Sequence, residues 1–266
     1  MAENKINYWN PVCYQDNSDP QFNIALEMLK RYTFKGTESV LDIGCGNGRV
    51  TATIANQVPN GHVIGLDSSQ AMITFASQSY MAIPNVSFIH GNASDFSFTE
   101  KSDLITSFSA LHWVPDQEKV LAHCSQQLKK GGTLLISMSR PIREQPLIDA
   151  LDIVCAHQEW SHYFASFEEG PYMAFATLPE YEQLLKDCGF DVIECKLQPK
   201  QFLFTNHKKL ALWIQAFLPH TIYLPSTLQT AFYIEVATEY AKVTQQFSPQ
   251  VTYFYFPWEI VAKRKS

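Results

Sequence analysis

The chain has 266 residues, a formal net charge of −6 and a 46% hydrophobic fraction. That length and apolar content support one domain, or one domain with insertions, around a sizeable core. The acidic balance, with Lys263-Arg264-Lys265 as the longest basic run, argues against a broad nucleic-acid footprint. No 18-residue apolar stretch suggests a membrane span. The first residues, Met1 to Tyr8, lack the apolar segment of a secretory leader. Six cysteines at positions 13, 45, 124, 155, 188 and 195 form no C-x-x-C and no zinc-ligand spacing. The expectation is a cytoplasmic protein with reduced thiols, no metal and no nucleic-acid partner.

The first predicted element is a helix over Phe22–Tyr32, carrying Ile24, Leu26, Met28 and Leu29. A strand over Ser39–Cys45 runs into Gly44, Gly46 and Gly48, which end it and open a helix over Arg49–Val58. Next come a strand at His62–Asp67 and a helix at Gln70–Tyr80, with Ser68-Ser69 supplying its N-cap. Strands at Val86–Gly91 and Asp103–Phe108 follow. A helix at Asp116–Leu128, a turn at Gly131-Gly132 and a strand at Thr133–Met138 complete this half. The strands are nearly continuous apolar runs, as for parallel strands covered on both faces. A doubly wound α/β sheet is predicted.

Pro141 breaks the alternation. Residues 141–177 are rich in aromatics and histidine, including His157, Trp160, His162, Tyr163, Phe164, Phe167, Tyr172 and Phe175. A helix over Pro179–Cys188, stopped at Gly189, restores the pattern. A strand over Asp191–Leu197 is expected to continue through Pro199 to Phe204. An irregular helical stretch, Lys208–Gln246, carries Trp213, Phe217, Tyr223, Phe232 and Tyr233. The last predicted strand is Val251–Ala262, with a bulge or edge at Pro257-Trp258.

The glycine turn is the most informative stretch. The helix after it presents free N–H groups and a positive dipole end. Asp67, closing the second strand, is placed to bind a ribose diol, so the unit reads as a nucleoside-binding crossover. A dinucleotide fingerprint needs G-x-G-x-x-G around a pyrophosphate. Counted from Gly44, the third position is Arg49, which speaks against a nicotinamide-dependent oxidoreductase. Asp42, two residues upstream of Gly44, would repel a pyrophosphate and suits a cationic ligand. S-adenosylmethionine, with a sulfonium, an ammonium and no phosphate, fits that description.

On Asp42, the Gly44-Cys45-Gly46 turn and Asp67, the chain resembles the class I S-adenosylmethionine-dependent methyltransferases. The resemblance implies a Rossmann-like, doubly wound, seven-stranded, mostly parallel sheet with an antiparallel last strand and helical insertions. It implies one domain over 1–266, a cofactor-binding core over 1–140, and insertions over 141–177 and 205–248 that cover the substrate. It also implies the site. Gly44, Cys45 and Gly46 would line the methionine portion of the cofactor, and Asp42 would act on its ammonium, directly or through water. Asp67 would take the ribose hydroxyls, and Ser68 and Met72 would lie under the adenine. Asn92 and Ala93 end the third strand. Many family members have Asp at the position of Asn92, which also offers an acceptor and donors. Ser107 and Phe108 would lie near the sulfonium. Met72 and Phe108 read equally well as plain core packing.

After the fourth strand the chain has Ser107-Phe108-Ser109-Ala110-Leu111-His112-Trp113-Val114 rather than the Asn/Asp-Pro-Pro-aromatic of amino-methylating nucleic-acid enzymes. This segment resembles the carboxyl methyltransferases, which include the trans-aconitate, juvenile hormone acid and malonyl-acyl-carrier-protein enzymes. Trp9-Asn10-Pro11 with Tyr14, Asp67 to Ile73, and the ending Phe256-Pro257 to Arg264 resemble the trans-aconitate group. Gln21, seven residues after Tyr14, resembles instead the enzymes in which Gln and the strand-four Trp hold the substrate carboxylate. The trans-aconitate group has Arg there, suited to a polyanion. Gln21 and Trp113 supply two neutral donors, suited to a monocarboxylate. A solvated helix start is the plain alternative for Gln21, and core packing for Trp113. His112 is a base only if the acceptor is a phenol or amine, and is otherwise a packed residue.

The implied activity is O-methylation of a small or acyl-carrier-linked carboxylic acid to its methyl ester, with the aromatic insertions favouring an apolar substrate body. Methylation of a phenolic, hydroxyl or amine acceptor is the alternative. A non-catalytic nucleoside-binding module is a more distant one.

Overall fold

The computed structural model describes residues 9–139, 146–167 and 177–266. Tyr172 and Phe175, from the first aromatic segment, lie outside the described residues. The described residues form two compact units. One comprises 19–139, 177–199 and 256–266, and the other 9–18, 146–167 and 200–255.

The first unit holds the predicted α/β alternation. Strands β1 (Ser39–Ile43), β2 (His62–Asp67), β3 (Val86–His90), β4 (Ser102–Phe108), β5 (Leu128–Ser139), β6 (Phe190–Leu197) and β9 (Pro257–Arg264) form one seven-stranded sheet, in the order β3-β2-β1-β4-β5-β9-β6. β1 to β5 pair in parallel, and β9 is antiparallel to both neighbours. The fold expectation stands, with one refinement: the strand last in the chain lies inside the sheet, between β5 and β6.

The helices in this unit are α2 (Asp19–Leu29), α3 (Arg49–Gln57), α4 (Gln70–Ser79), α5 (Gln117–Gln127) and α7 (Leu178–Asp187). Side-chain caps set their starts: Ser69 Oγ accepts from the Met72 N–H, Asp116 caps α5, and Thr177 with Glu180 forms a full capping box on α7. Helix α2 begins three residues before the predicted start, because Asp19 and Pro20 suit a first helical turn where N–H groups have no partner. Two apolar layers cover the sheet. Ile43, Ile105, Ile136 and Ile260 pack with α5 and α7 residues such as Val120, Leu121 and Leu185. Val40, Leu104 and Leu135 pack with Met28 of α2 and Ile54 of α3.

Two predicted strands are corrected. The chain does not run as one strand from Val251 to Ala262. It makes β8 (Val251–Tyr255), then breaks at Phe256, and β9 starts at Pro257. Nor does β6 continue through Pro199: β7 (Lys200–Phe204) is separate and pairs with β8 in a two-stranded sheet of the other unit. At both points a proline removes the N–H that a continuous ladder needs. The predicted Gly131-Gly132 turn also falls inside β5, which starts at Leu128 with an irregularity opposite Ser102 and Leu104.

The second unit contains α1 (Pro11–Asn17), α6 (Pro146–Cys155), α8 (His207–Gln215), α9 (Ser226–Val243) and the two-stranded β7–β8 sheet. Its core takes up much of the aromatic excess. Trp160, Trp213, Phe232, Tyr233, Tyr240 and Tyr253 are buried together with Leu147, Ile214 and Val236. Glu235 ties this core down by accepting from Trp160 Nε1 at 2.7 Å and pairing with His157 Nδ1 at 2.6 Å. These aromatics are the hydrophobic core that lets the inserted segments fold.

Candidate active site

The carboxyl end of β1 turns through Gly44, Gly46 and Gly48, whose φ values of 72°, 53° and 82° lie in the left-handed region. Gly44 is also required by space: a Cβ there would stand 2.1 Å from the Ala110 Cβ. The turn therefore abuts the segment after β4. Its amides are already engaged. Gly44 and Cys45 N–H donate to the Leu66 carbonyl at 2.7 and 3.1 Å, Gly46 N–H to Asp67 Oδ2 at 2.8 Å, and Gly48 N–H to the Cys45 carbonyl at 3.0 Å. A pyrophosphate cradle needs such amides pointing at the ligand. This turn instead offers close backbone approach beside two carboxylates.

Those carboxylates are Asp42 and Asp67. Asp42 is buried, and its two oxygens accept from Thr51 Oγ1 and Thr106 Oγ1, each at 2.7 Å. Thr106 stands opposite Asp42 in the β1–β4 register, and Thr51 comes from the first turn of α3. Burial raises the Asp42 carboxyl to about 6, against the lowering effect of the two threonine hydrogen bonds; nearby Asp67 raises it further. Asp67 accepts from the Ser69 and Gly46 amides, both at 2.8 Å. Burial raises its pKa as well, opposed by those backbone hydrogen bonds and by His90. Each carboxylate oxygen has two lone-pair sites and accepts one of these hydrogen bonds, so both residues retain acceptor capacity toward a ligand. Two carboxylates raised by burial, beside engaged amides and no basic side chain of the turn, fit a cationic nucleoside better than a phosphate.

The other predicted residues surround this centre unequally. Ser68 is exposed, and its carbonyl lies 3.0 Å from His90 Nε2. Met72 is buried on α4. Asn92 is exposed and uses Oδ1 to accept from the Ser94 N–H at 2.9 Å, while Ala93 packs against the core. Ser107 donates to the Ile43 carbonyl at 2.8 Å, so it clamps β4 to β1, and Phe108 packs in the layer with Met28 and Leu104. Cys45 is buried, and its thiol is pushed well up by burial, with Asp67 and Asp42 adding to the effect. It packs as a small apolar residue.

After β4 the chain makes a 3-10 turn at Leu111–Trp113. Gln117, missed by the sequence analysis, holds it: Nε2 donates to the Leu111 and Val114 carbonyls, both at 2.6 Å, while Oε1 accepts from the buried Tyr181 hydroxyl at 2.9 Å. The turn places the His112 and Trp113 rings 5.0 Å apart. His112 is buried, and desolvation lowers it to about 3, so at neutral pH its imidazole carries no charge. Trp113 is half-buried, as is Gln21 in the first turn of α2, whose helix packs over β4 and β5. Among the described residues, no three His, Cys, Asp or Glu side chains group as metal ligands. No described helix is long and apolar enough to cross a membrane.

The chain is similar to known methyltransferases. A family model described as a methyltransferase domain matches residues 34–177. The methyltransferase 235L of Invertebrate iridescent virus 6 is 26% identical over 88% of this chain and 86% of its own length. Trans-aconitate 2-methyltransferase of Escherichia coli is 32% identical over 69% of each chain. Among solved structures, a methyltransferase-fold protein of Bacillus halodurans C-125 has a TM-score of 0.62 at 19% identity, covering 92% of this chain and 100% of its own, a likeness of fold.

Proposed function

We propose that this chain, which belongs to the class I S-adenosylmethionine-dependent methyltransferases, transfers the methyl group to a carboxylate oxygen of a small or acyl-type acid and so forms a methyl ester. The observation that carries the choice of acceptor is His112. It is the histidine of the turn after β4, and burial holds it near a pKa of 3, so it is too weak a base to deprotonate a phenol or an ammonium near pH 7. A carboxylic acid needs no base there. Its pKa is about 4, so it arrives ionised. The named activity of the Escherichia coli relative, on trans-aconitate, supports the same class of acceptor.

The cofactor supplies an electrophilic methyl group on a positively charged sulfur. The chain's own residues do the rest. Asp67 receives the ribose hydroxyls, and Asp42 faces the positive methionine end from behind the glycine turn. Ser68 and Met72 border the adenine, with Asn92 and Ala93 at its edge. Gln21 and Trp113 hold the acid through neutral N–H donors, a pair suited to one carboxylate rather than three. Rate enhancement then comes from placement and exclusion of water.

The test uses methyl-labelled S-adenosylmethionine with a panel of trans-aconitate, long-chain acids, terpenoid acids and malonyl-acyl-carrier protein. Label released as methanol by mild alkali identifies an ester. Label that resists alkali would overturn the carboxylate reading and point to an ether or amine product. Preference for trans-aconitate over every monocarboxylate would overturn the assignment of Gln21 and Trp113 to a single carboxylate.

A further inference from the structure

Three buried polar atoms lie just after β4 and near the carboxyl end of the adjacent β5, and the cofactor assignment uses none of them. Among the described residues, Ser109 Oγ, His112 Nδ1 and Ser137 Oγ are buried with no hydrogen-bond partner. Buried polar groups are nearly always paired, so each of the three atoms calls for a partner. Their backbones place them as neighbours. The Ser109 N–H donates to the Ser137 carbonyl at 2.7 Å, and Ser137 stands opposite Phe108 in the β4–β5 register. His112 follows Ser109 by three residues, through the turn in which the Trp113 N–H donates to the Ala110 carbonyl.

A second observation is independent of the first. Ser109 has φ 55°, in the left-handed region. A serine there is strained, and such strain gathers at ligand sites. The residue between Ser109 and the turn, Ala110, is the one that meets Gly44. The strained serine therefore sits where the acceptor segment adjoins the glycine turn. No Lys or Arg occurs in 104–116 or 132–139.

We infer that Ser109, His112 and Ser137 form a donor set that binds the acceptor's carboxylate through two O–H groups and one N–H. This deepens the carboxyl-methyltransferase reading and rests on it. A carboxylate has about four lone-pair sites, and one of them attacks the methyl group; the other three are shared between this set and the donors of Gln21 and Trp113. Neutral donors also suit the reaction: they orient the anion without placing a second positive charge beside the sulfonium. The burial that keeps His112 uncharged serves the same end.

The experiment compares wild type with Ser109→Gly, which removes the hydroxyl while relieving the left-handed strain, and with Ser137→Ala on the neighbouring strand. The probes are decanoate and decanamide, titrated by calorimetry into protein saturated with S-adenosylhomocysteine. The affinity for S-adenosylhomocysteine itself is measured separately. The expected result is a loss of at least about tenfold in decanoate affinity for each variant, with decanamide and S-adenosylhomocysteine within about twofold of wild type. Because the two positions are independent, a folding defect in one leaves the other decisive. If wild type binds decanoate and the variants bind it equally well, the donor set is refuted while the carboxylate reading stands. If the variants instead lose S-adenosylhomocysteine affinity, the hydroxyls belong to the cofactor and the inference fails. If wild type binds neither decanoate nor any acid of the panel, the carboxylate reading falls and takes this inference with it.

Discussion

Replacing Gly44 by Ala tests the centre of the site, and the structure separates the cost into two parts. The first is conformational. At φ 72° a non-glycine residue costs about 1–2 kcal/mol. The second is steric. The new Cβ would lie 2.1 Å from the Ala110 Cβ, whereas saturated carbons rest about 3.5–4.0 Å apart, so one backbone must move by more than about 1 Å. Overpacking of that kind costs about 1–3 kcal/mol. The sum, about 2–5 kcal/mol, corresponds to a fall in melting temperature of about 4–20 °C for a chain of this size. Ala110→Gly removes the opposing carbon and leaves the left-handed strain, at an entropic cost of up to about 1 kcal/mol. The double variant Gly44→Ala/Ala110→Gly should therefore recover most of the steric part and none of the conformational part. Thermal melts of the four proteins form the cycle, with S-adenosylhomocysteine calorimetry as a second reading. A Gly44→Ala protein that melts within 1 °C of wild type would refute the reasoning, as would a double variant no more stable than Gly44→Ala alone.

Asp67→Asn should weaken S-adenosylhomocysteine by about 2–4 kcal/mol, because the charged acceptor for both ribose hydroxyls is lost; calorimetry giving an unchanged constant would end the ribose assignment. Asp42 tests linkage. Its carboxyl lies near 6 in the fold and near 4 in an unfolded chain, so the fold prefers the protonated form. Relative to Asp42→Asn, wild-type stability should be greatest below about pH 4 and fall by about 2–3 kcal/mol as pH rises to about 6, then stay level. Urea midpoints at pH 4.5 and 7.5 that move together in both proteins would contradict this. Gln117→Ala leaves two carbonyls of the Leu111–Trp113 turn without their donor, and should cost about 2–4 kcal/mol and raise the acceptor KM. An unaltered melt and KM would show that the turn holds itself. Because burial holds His112 near 3, the pH profile of kcat at saturation should have the same shape in wild type and His112→Ala from pH 6 to about 8.5, and an inflection near 6.5 that disappears in His112→Ala would revive it as a base.

Much of the first unit was legible residue by residue, because its signals are local. β2 was read to its bounds, His62–Asp67, and the cap of α4 was read from Ser68-Ser69, of which Ser69 makes it. The glycine turn needed no partner to be recognised, since left-handed backbone excludes most other residues. Gln117, Ser109 and Ser137 gave no comparable signal. A glutamine early in a helix and serines in or just after apolar strands are ordinary in sequence. Only packing buried their side-chain polar atoms and, for the two serines, left them unpartnered.

By itself, then, the order of amino acids determined the α/β class, the glycine turn between Asp42 and Asp67, and the resemblance to carboxyl methyltransferases. All of these are written within a few residues or one crossover. Tertiary structure alone decided that Val251–Arg264 splits between two sheets, that β9 slots between β5 and β6, and that two threonines from different elements satisfy Asp42. It also decided that the aromatic segments spend much of their surface on a core of their own. The physical reason is common to all four. Register, burial and desolvation depend on which distant residues share a face, and that is set by packing, not by neighbours along the chain.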